Sequence, residues 1–280
     1  MKIPATVLGI GALACMSGSA LAGQRDRDHG AAVARLAARP EIIQALDLAR
    51  DLEAGAESDL IELTEIPAPP FGEAARAARF AEMLQVAGLP EVSIDDVGNV
   101  IARRAGLGAG ETVAIVAHLD TVFPAGTDVT VRRRGERLYA PGIGDDTRGL
   151  VLLLNVARVL ERADIRTVAD ILFVGSVGEE GLGDLRGVRH LLRRGGPRVD
   201  RVIAIDGGSD RRVVNQALGS RRYRLTLTGP GGHSWGDFGL ANPAHALGRA
   251  TYYFDEAAAV VVNTGPPASY NVGRIGGGTS

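Results

Sequence analysis

The sequence predicts an α/β fold: a doubly wound, mostly parallel sheet, followed by the start of a smaller α+β domain. Apolar runs rich in β-branched residues recur at 113–117, 169–177 and 201–205. Such runs are typical of strands that are buried on both faces. An apolar helical pattern at 150–160 separates the first two, as in a parallel sheet. Alternation of polar and apolar residues at 223–228 predicts a sheet with one solvent-exposed face. Because the strands of the first sheet are predicted to be buried on both faces, this segment indicates a second domain.

Composition limits the possible functions. The chain has 280 residues, of which 45% are hydrophobic and 4% aromatic, which is typical of a globular protein with one large or two small domains. Its formal net charge is -2, and its runs of like charge are short. We therefore expect no nucleic-acid partner.

The first 22 residues have the pattern of an export signal. Lys2 is followed by a short apolar stretch, and Ser19-Ala-Leu-Ala22 offers a cleavage site after Ala22. The stretch is too short to span a membrane, so we expect a mature periplasmic or secreted protein without a transmembrane segment. The only cysteine, Cys15, lies in this segment and could instead carry a lipid. Cleavage would leave no thiol nucleophile.

Local signals predict the elements around the first buried strand. Residues 27–54 favour one or two helices, and 73–87 form an amphipathic pattern that Gly88 closes. Short strands are predicted at 91–95 and 100–104. An outer hairpin is expected at 129–139, where Gly135 allows a turn.

The pattern of hydrophobic residues changes near Arg221, from continuous apolar runs to alternation of polar and apolar residues. After the alternating segment, 243–257 favours a helix with Pro243 in its first turn, and 270–275 favours another strand. A strand, a helix and a strand do not complete such a domain, so we expect the chain to be a fragment of a longer protein. The predicted organisation is a signal at 1–22, an α/β domain at 23–220 and the incomplete start of a second domain at 221–280.

Acidic residues gather where the predicted buried strands end. His118 and Asp120 close the first of these strands and, two apart on an extended chain, point the same way. In open α/β sheets that edge is where ligands bind. Carboxylates collected there repel one another unless cations neutralise them, and mixed imidazole and carboxylate ligands suit zinc, with manganese or cobalt possible. The predicted cluster comprises His118, Asp120, Asp145, Glu179, Glu180 and Asp206.

Other interpretations of these loops are open. The glycine-rich loop at 142–149 precedes a predicted helix, as a phosphate-binding loop does. It lacks the P-loop lysine, however, and carries two carboxylates that would repel phosphate. Asp146 is a candidate helix cap. Glu179 and Glu180 taken alone would fit a solvated turn.

Five ordered motifs resemble those of the dinuclear-zinc metallopeptidase and deacylase family that includes peptidase T, glutamate carboxypeptidase, aminoacylase and succinyl-diaminopimelate desuccinylase. Their order and spacing agree over about residues 60–280. The motifs are Ala117-His-Leu-Asp-Thr-Val122, Gly142-Ile-Gly-Asp-Asp146, Gly178-Glu-Glu-Gly181, Ile205-Asp-Gly207 and Gly229-Pro-Gly-Gly-His-Ser234.

The resemblance implies roles for the clustered residues. Glu179 would be the general base, and Asp120 would hydrogen-bond the far nitrogen of His118. The substrate would be a short peptide or an N-acyl amino acid, hydrolysed by water that two zinc ions activate. The implied metal ligands are His118 and Asp206 on one ion, Glu180 on the other, and Asp145 bridging both.

The second domain would contribute His233, which in the family stabilises the oxyanion in a neighbouring subunit's active site. The resemblance thus implies that residues 23–220 belong to the catalytic, metal-binding domain. Residues 221–280 would begin an incomplete, ferredoxin-like lid or dimerisation domain, through which a homodimer would form. Family members take a further metal-binding histidine near the C-terminus, and none follows His245 here. We expect this 280-residue chain alone to be inactive or poorly folded.

Two other functions compete with a metal-dependent hydrolase. Gly232-His-Ser234-Trp-Gly236 fits the G-x-S-x-G pattern of a serine hydrolase, with Ser234 as nucleophile, but the predicted helix does not follow at once. A metal-free binding or assembly module of the same fold is the non-enzymatic alternative.

Overall fold

The structure is a computed structural model that describes residues 29–108, 110–207 and 211–278. The chain divides into two compact units, one ending at Ser209 and the other beginning at Asp210. The predicted signal segment and Cys15 lie outside the described residues. In the first unit the helices are α1 His29–Ala37, α2 Pro40–Asp51, α3 Glu53–Thr64, α4 Ala74–Val86, α5 Arg148–Arg162 and α6 Arg186–Leu191. The strands are β1 Glu91–Ile94, β2 Val100–Arg104, β3 Thr112–His118, β4 Arg132–Arg134, β5 Arg137–Tyr139, β6 Asp170–Ser176 and β7 Arg201–Ala204.

Five strands form one sheet in the order β1-β2-β6-β3-β7. Its centre is parallel: β3 pairs with β6 on one side and with β7 on the other. One edge is antiparallel, where β2 pairs with β6 and with β1. The remaining two strands, β4 and β5, form the separate hairpin that the sequence predicted. The predicted α/β class with a largely parallel centre is confirmed.

Both faces of the sheet are covered at its centre, which explains the continuous apolar runs of β3 and β6. On one face Phe173 of β6 packs with α3, α4 and α5. On the other face Leu172 and Val174 of β6 pack with Ala114 and Val116 of β3 and with α6. Successive residues of a strand point to opposite faces, so each run supplies two cores. This two-sided cover holds the central strands, and therefore their ends, in fixed register.

The second unit differs from the prediction in its strands. Its helix, α7 Pro243–Thr264, begins where the sequence placed it, and the Asn242 side chain accepts amide hydrogen bonds from Ala244 and His245 at its start. The strands predicted at 223–228 and 270–275 are wrong, since both segments are irregular and largely exposed. Alternating residues form a strand only when a neighbouring strand pairs with the backbone, and within 211–278 no strand is present.

None of the helices in the described ranges combines the length and the apolar character that crossing a membrane requires.

Candidate metal centre

The parallel centre of the sheet brings three chain segments to one edge. His118 ends β3 directly opposite Ser176 of β6. On the other side of β3, the chain leaving β7 stays attached because the Ile205 amide donates to the Val116 carbonyl at 2.8 Å. The segments carrying Glu179 and Asp206 therefore emerge beside His118, as the sequence predicted from the direction of the strands.

The surroundings of His118 fix which of its ring nitrogens is available. Nδ1 lies 2.9 Å from the backbone carbonyl of Asp120, which can only accept, so Nδ1 carries a proton. Nε2 lies 2.9 Å from Asp145 Oδ1 and 3.9 Å from Asp206 Oδ1. Nε2 is thus the ring nitrogen that faces the carboxylates, and in the neutral imidazole its lone pair would be available to a metal ion.

Three of the predicted ligands are close enough to share one ion. His118, Asp145 and Glu180 each offer a donor atom, and these atoms lie within 4.8 Å of one another. Asp206 joins them through its 3.9 Å approach to His118. A nitrogen and several carboxylate oxygens in one small volume form a donor set that suits zinc. These residues fit a metal centre in type and in position.

The resemblance implied that the carboxylate of Asp120 hydrogen-bonds His118, and the structure differs. The backbone carbonyl of Asp120 accepts the hydrogen bond from His118 Nδ1, whereas the side-chain Oδ1 of Asp120 lies 3.7 Å from Nδ1. The carboxylate instead accepts the amides of Glu179, at 3.1 Å, and Glu180, at 2.8 Å. Asp120 is fully buried, and backbone amides are closer and better aligned partners than the imidazole. Its side chain thus organises the loop that carries the two glutamates.

Asp146 is a site residue that the sequence interpretation took only for a helix cap. Its Oδ1 does accept the amide of Gly149 in the first turn of α5, at 3.1 Å. Its Oδ2 accepts the amide of His118 at 3.0 Å, which ties α5 to the end of β3. Burial of the side chain, together with Asp206 and Asp145, raises the pKa of Asp146 to about 7, although His118 opposes the shift. Two adjacent aspartates at the start of a helix were the only sequence signal for this second role.

The charges of the cluster change the protonation of its members. Burial raises the pKa of Glu179, and the nearby carboxylates of Asp206, Asp120 and Asp145 add to the shift while His118 opposes it. The pKa of Glu180 is raised by burial and by Glu179. Burial lowers the pKa of His118, but surrounding carboxylates outweigh it, and the pKa is raised overall. Crowded carboxylates thus retain protons that a cation would displace.

The predicted residues of the second unit lie in an exposed turn. The amides of Trp235 and Gly236 donate to His233 Nδ1 at 3.2 and 3.1 Å, and the His233 amide donates to Asp237 at 2.7 Å. Ser234 lies in the same turn, and the next helix begins only at Pro243. No strand precedes it within 211–278, so the strand–turn–helix geometry of a serine-hydrolase nucleophile is not formed there.

The fold and the cluster define a class: an α/β protein with a candidate metal centre at the carboxyl edge of its parallel strands. The profile of Peptidase family M20/M25/M40 matches residues 114–272, a range that contains the whole cluster. The chain belongs to this family, which confirms the resemblance drawn from the motifs.

Two curated relatives align over about half of this chain. Carboxypeptidase G2 of Pseudomonas sp. (strain RS-16) is 26% identical over 140 residues, which are 49% of this chain and 33% of the relative. A putative LysW-lysine/LysW-ornithine hydrolase of Pyrococcus horikoshii is 35% identical over 135 residues, 48% of this chain and 36% of the relative. The aligned part of the chain thus corresponds to about a third of each curated relative's length.

A solved structure supports the fold. The di-peptidase Dug1p of Saccharomyces cerevisiae superimposes with a TM-score of 0.51 at 19% identity, over 76% of this chain and 51% of that one.

Proposed function

We propose that the intact protein is a metal-dependent hydrolase that cleaves the amide bond of a short peptide or an N-acyl amino acid. The observation that carries the proposal is the approach of the donor atoms of His118, Asp145 and Glu180 to within 4.8 Å, in a chain of Peptidase family M20/M25/M40. The neighbouring Glu179, with its raised pKa, supplies a proton-transfer group at the same edge of the sheet.

The proposed ligands divide between two ions. His118 and Asp206 would hold one, Glu180 the other, and Asp145 would bridge them. Zinc suits these donors best, and cobalt or manganese would also fit. Two divalent ions at such a site supply Lewis-acid polarisation of the substrate carbonyl and make a nearby water more acidic.

Glu179 would act as the general base. Its carboxylate takes a proton from water as the water oxygen bonds to the amide carbon. It then passes that proton to the amine as the carbon–nitrogen bond breaks. The double role requires a group that both accepts and releases a proton near neutral pH, and burial raises the pKa of Glu179 toward that range in the metal-free protein. Asp120 keeps Glu179 in place through the backbone amide that it accepts.

The activities for which the similar proteins are named support an amide substrate that ends in an amino acid. One relative is a carboxypeptidase, one a putative hydrolase of a lysine or ornithine adduct, and one a di-peptidase. All three names refer to bonds at an amino-acid residue. Within that class the proposal covers both peptides and N-acyl amino acids.

The assembly and location of the protein complete the proposal. A homodimer formed through the second unit would bring His233 of one subunit to the substrate of the other, where an imidazole stabilises a developing oxyanion. The pattern of residues 1–22 supports export to the periplasm or beyond, with lipidation at Cys15 as the alternative.

The test is metal analysis of the intact mature protein together with hydrolysis of a panel of dipeptides, tripeptides and N-acyl amino acids, with and without chelator. We expect about two zinc ions per chain, as in other two-metal hydrolases, and loss of activity in chelator. Chelator-resistant hydrolysis that a serine-directed inhibitor stops would transfer the activity to Ser234. A protein that holds no stoichiometric metal and hydrolyses nothing would be a binding module.

A further inference from the structure

The guanidinium of Arg186 joins two loops beside the candidate metal centre. Its Nη2 lies 2.8 Å from each carboxylate oxygen of Glu73, a residue 113 positions earlier in the chain. The Glu73 side chain is only 4% exposed, so this ion pair is shielded from water on the carboxylate side. Shielded ion pairs with direct hydrogen bonds hold their partners more firmly than surface pairs do.

Glu73 also holds the proline-rich loop that precedes it. The amide of Phe71 donates to Glu73 Oε1 at 3.1 Å. Phe71 has a φ of 68°, a left-handed conformation that costs free energy in a residue with a side chain. The Phe71 ring lies under the guanidinium of Arg186, 4.6 Å from its carbon. Both contacts compensate for the strained backbone at Phe71.

On its other side Arg186 packs directly against the backbone of Gly178, the residue before Glu179. A Cβ at Gly178 would lie 2.0 Å from Arg186 Nη1, so only glycine allows this approach. Arg186 Nη1 is buried and has no hydrogen-bond partner in the described ranges. An unpaired buried donor costs free energy, so hydrogen bonding alone does not account for this placement of the guanidinium.

The segment from Gly178 to Gly183, here called the acid loop, folds back onto Arg186. The amide of Gly183 donates to the carbonyl of Glu180 at 2.9 Å, and the amide of Arg186 donates to the carbonyl of Gly183 at 3.0 Å. Arg186 thus contacts the acid loop at both ends, by its side chain at Gly178 and by its backbone at Gly183.

We infer that Arg186, fixed by Glu73, is a positioning residue that sets where the acid loop places the carboxylates of Glu179 and Glu180. It acts through the loop, because Glu73 occupies one side of its guanidinium and Phe71 covers a face. The inference rests on the proposed function for the roles of the two glutamates. The link between Arg186 and the loop is independent of that function.

The test compares Arg186→Gln, Arg186→Lys and Glu73→Gln in the intact protein. The matched control is Arg158→Gln, since Arg158 and Asp59 form another shielded pair, with side chains 14% and 15% exposed, that joins α5 to α3. Amide hydrogen exchange is measured by mass spectrometry for the acid loop and for β3, alongside zinc affinity, kcat and KM.

We expect Arg186→Gln to speed exchange of the acid-loop amides about tenfold or more, with β3 no faster than in the control. We expect kcat to fall about tenfold or more with KM changed less than about threefold, because the loss concerns the group that moves the proton. Zinc affinity should fall as well, since Glu180 shifts with the loop. Arg186→Lys and Glu73→Gln should give intermediate values, and either can replace Arg186→Gln if that variant does not fold.

The inference is overturned if the Arg186 and Glu73 variants match the Arg158 control in acid-loop exchange and in kcat. If the unsubstituted protein holds no zinc and hydrolyses none of the panel, the proposed function fails. The exchange measurement still decides whether Arg186 positions the loop.

Discussion

The carboxylate of Asp120 accepts the backbone amide of Glu180 at 2.8 Å, across 60 residues of sequence. The same carboxylate accepts the amide of Glu179, so its two oxygens serve two consecutive amides. A buried carboxylate used in this way sets the backbone of its partners and leaves their side chains free to bind a metal or move a proton.

Replacing Asp120 by Asn should therefore loosen the loop. The amide group retains one acceptor oxygen, so one of the two backbone amides loses its partner. We expect the free energy of unfolding to fall by about 1–3 kcal/mol. Zinc affinity should fall about 10–100-fold, as for other residues that support metal ligands. Urea unfolding and zinc titration measure these effects. Asp184→Asn, at an exposed ion pair with Arg189, is the control and should change neither.

Burial of Asp146 predicts a pH dependence of stability in the metal-free protein. Its pKa is about 7 in the folded state, against an ordinary value of 3.8, so the folded state binds the proton more tightly. A raised carboxyl pKa means that stability is lost as the pH rises through this window, from about 4 to 7. Metal-free Asp146→Asn should show a shallower decline over that window.

Thermal or urea unfolding at several pH values measures the slope. A slope in the Asp146 variant that equals the slope of the unsubstituted metal-free protein would contradict the assignment. Asp184→Asn, on the surface, should keep the slope of the unsubstituted protein.

The adjacent glutamates should separate into two roles. Glu179→Gln removes the proton-transfer group and should lower kcat about 10²–10⁴-fold while zinc still binds. Glu180→Gln removes a proposed ligand and should weaken zinc binding first. Zinc content by atomic emission, measured beside kcat, distinguishes the two variants. Loss of zinc from Glu179→Gln with full binding in Glu180→Gln would reverse the assignment.

Arg76 of α4 predicts a stability effect that does not involve the metal. Its fully buried guanidinium donates to the carbonyls of Leu119, at 2.9 Å, and Ile66, at 2.7 Å. Arg76→Met leaves buried carbonyls without donors, and we expect a loss of about 3 kcal/mol or more in unfolding free energy.

The matched control is Arg79→Met, on the same helix one turn later. Arg79 pairs with Glu62 and Glu82 at the surface, where ion pairs contribute little. Urea unfolding compares the two variants, and equal losses would contradict the structural role assigned to Arg76.

Several elements of the first unit could be predicted because their signals are local, whereas the sequence interpretation missed the helices α3 and α6. Helix α4 and the strands β3 and β6 follow from periodicity and from apolar runs, and the structure places them within a residue or two of the prediction. At 223–228 and 270–275 the sequence pattern predicted strands that the structure does not contain. A strand depends on a partner that hydrogen-bonds its backbone, and alternation does not say whether that partner is present.

The candidate site shows the same division. By itself the sequence determined which residues gather, because parallel strands end at one edge and carry His118, Glu179 and Asp206 there. Only the tertiary structure decided the partners: the Asp120 carbonyl on His118, the Asp120 carboxylate on the acid loop, and Arg186 against Gly178. The reason is physical. Strand direction follows from local patterns, whereas hydrogen-bond partners depend on distances and angles between segments far apart in the chain.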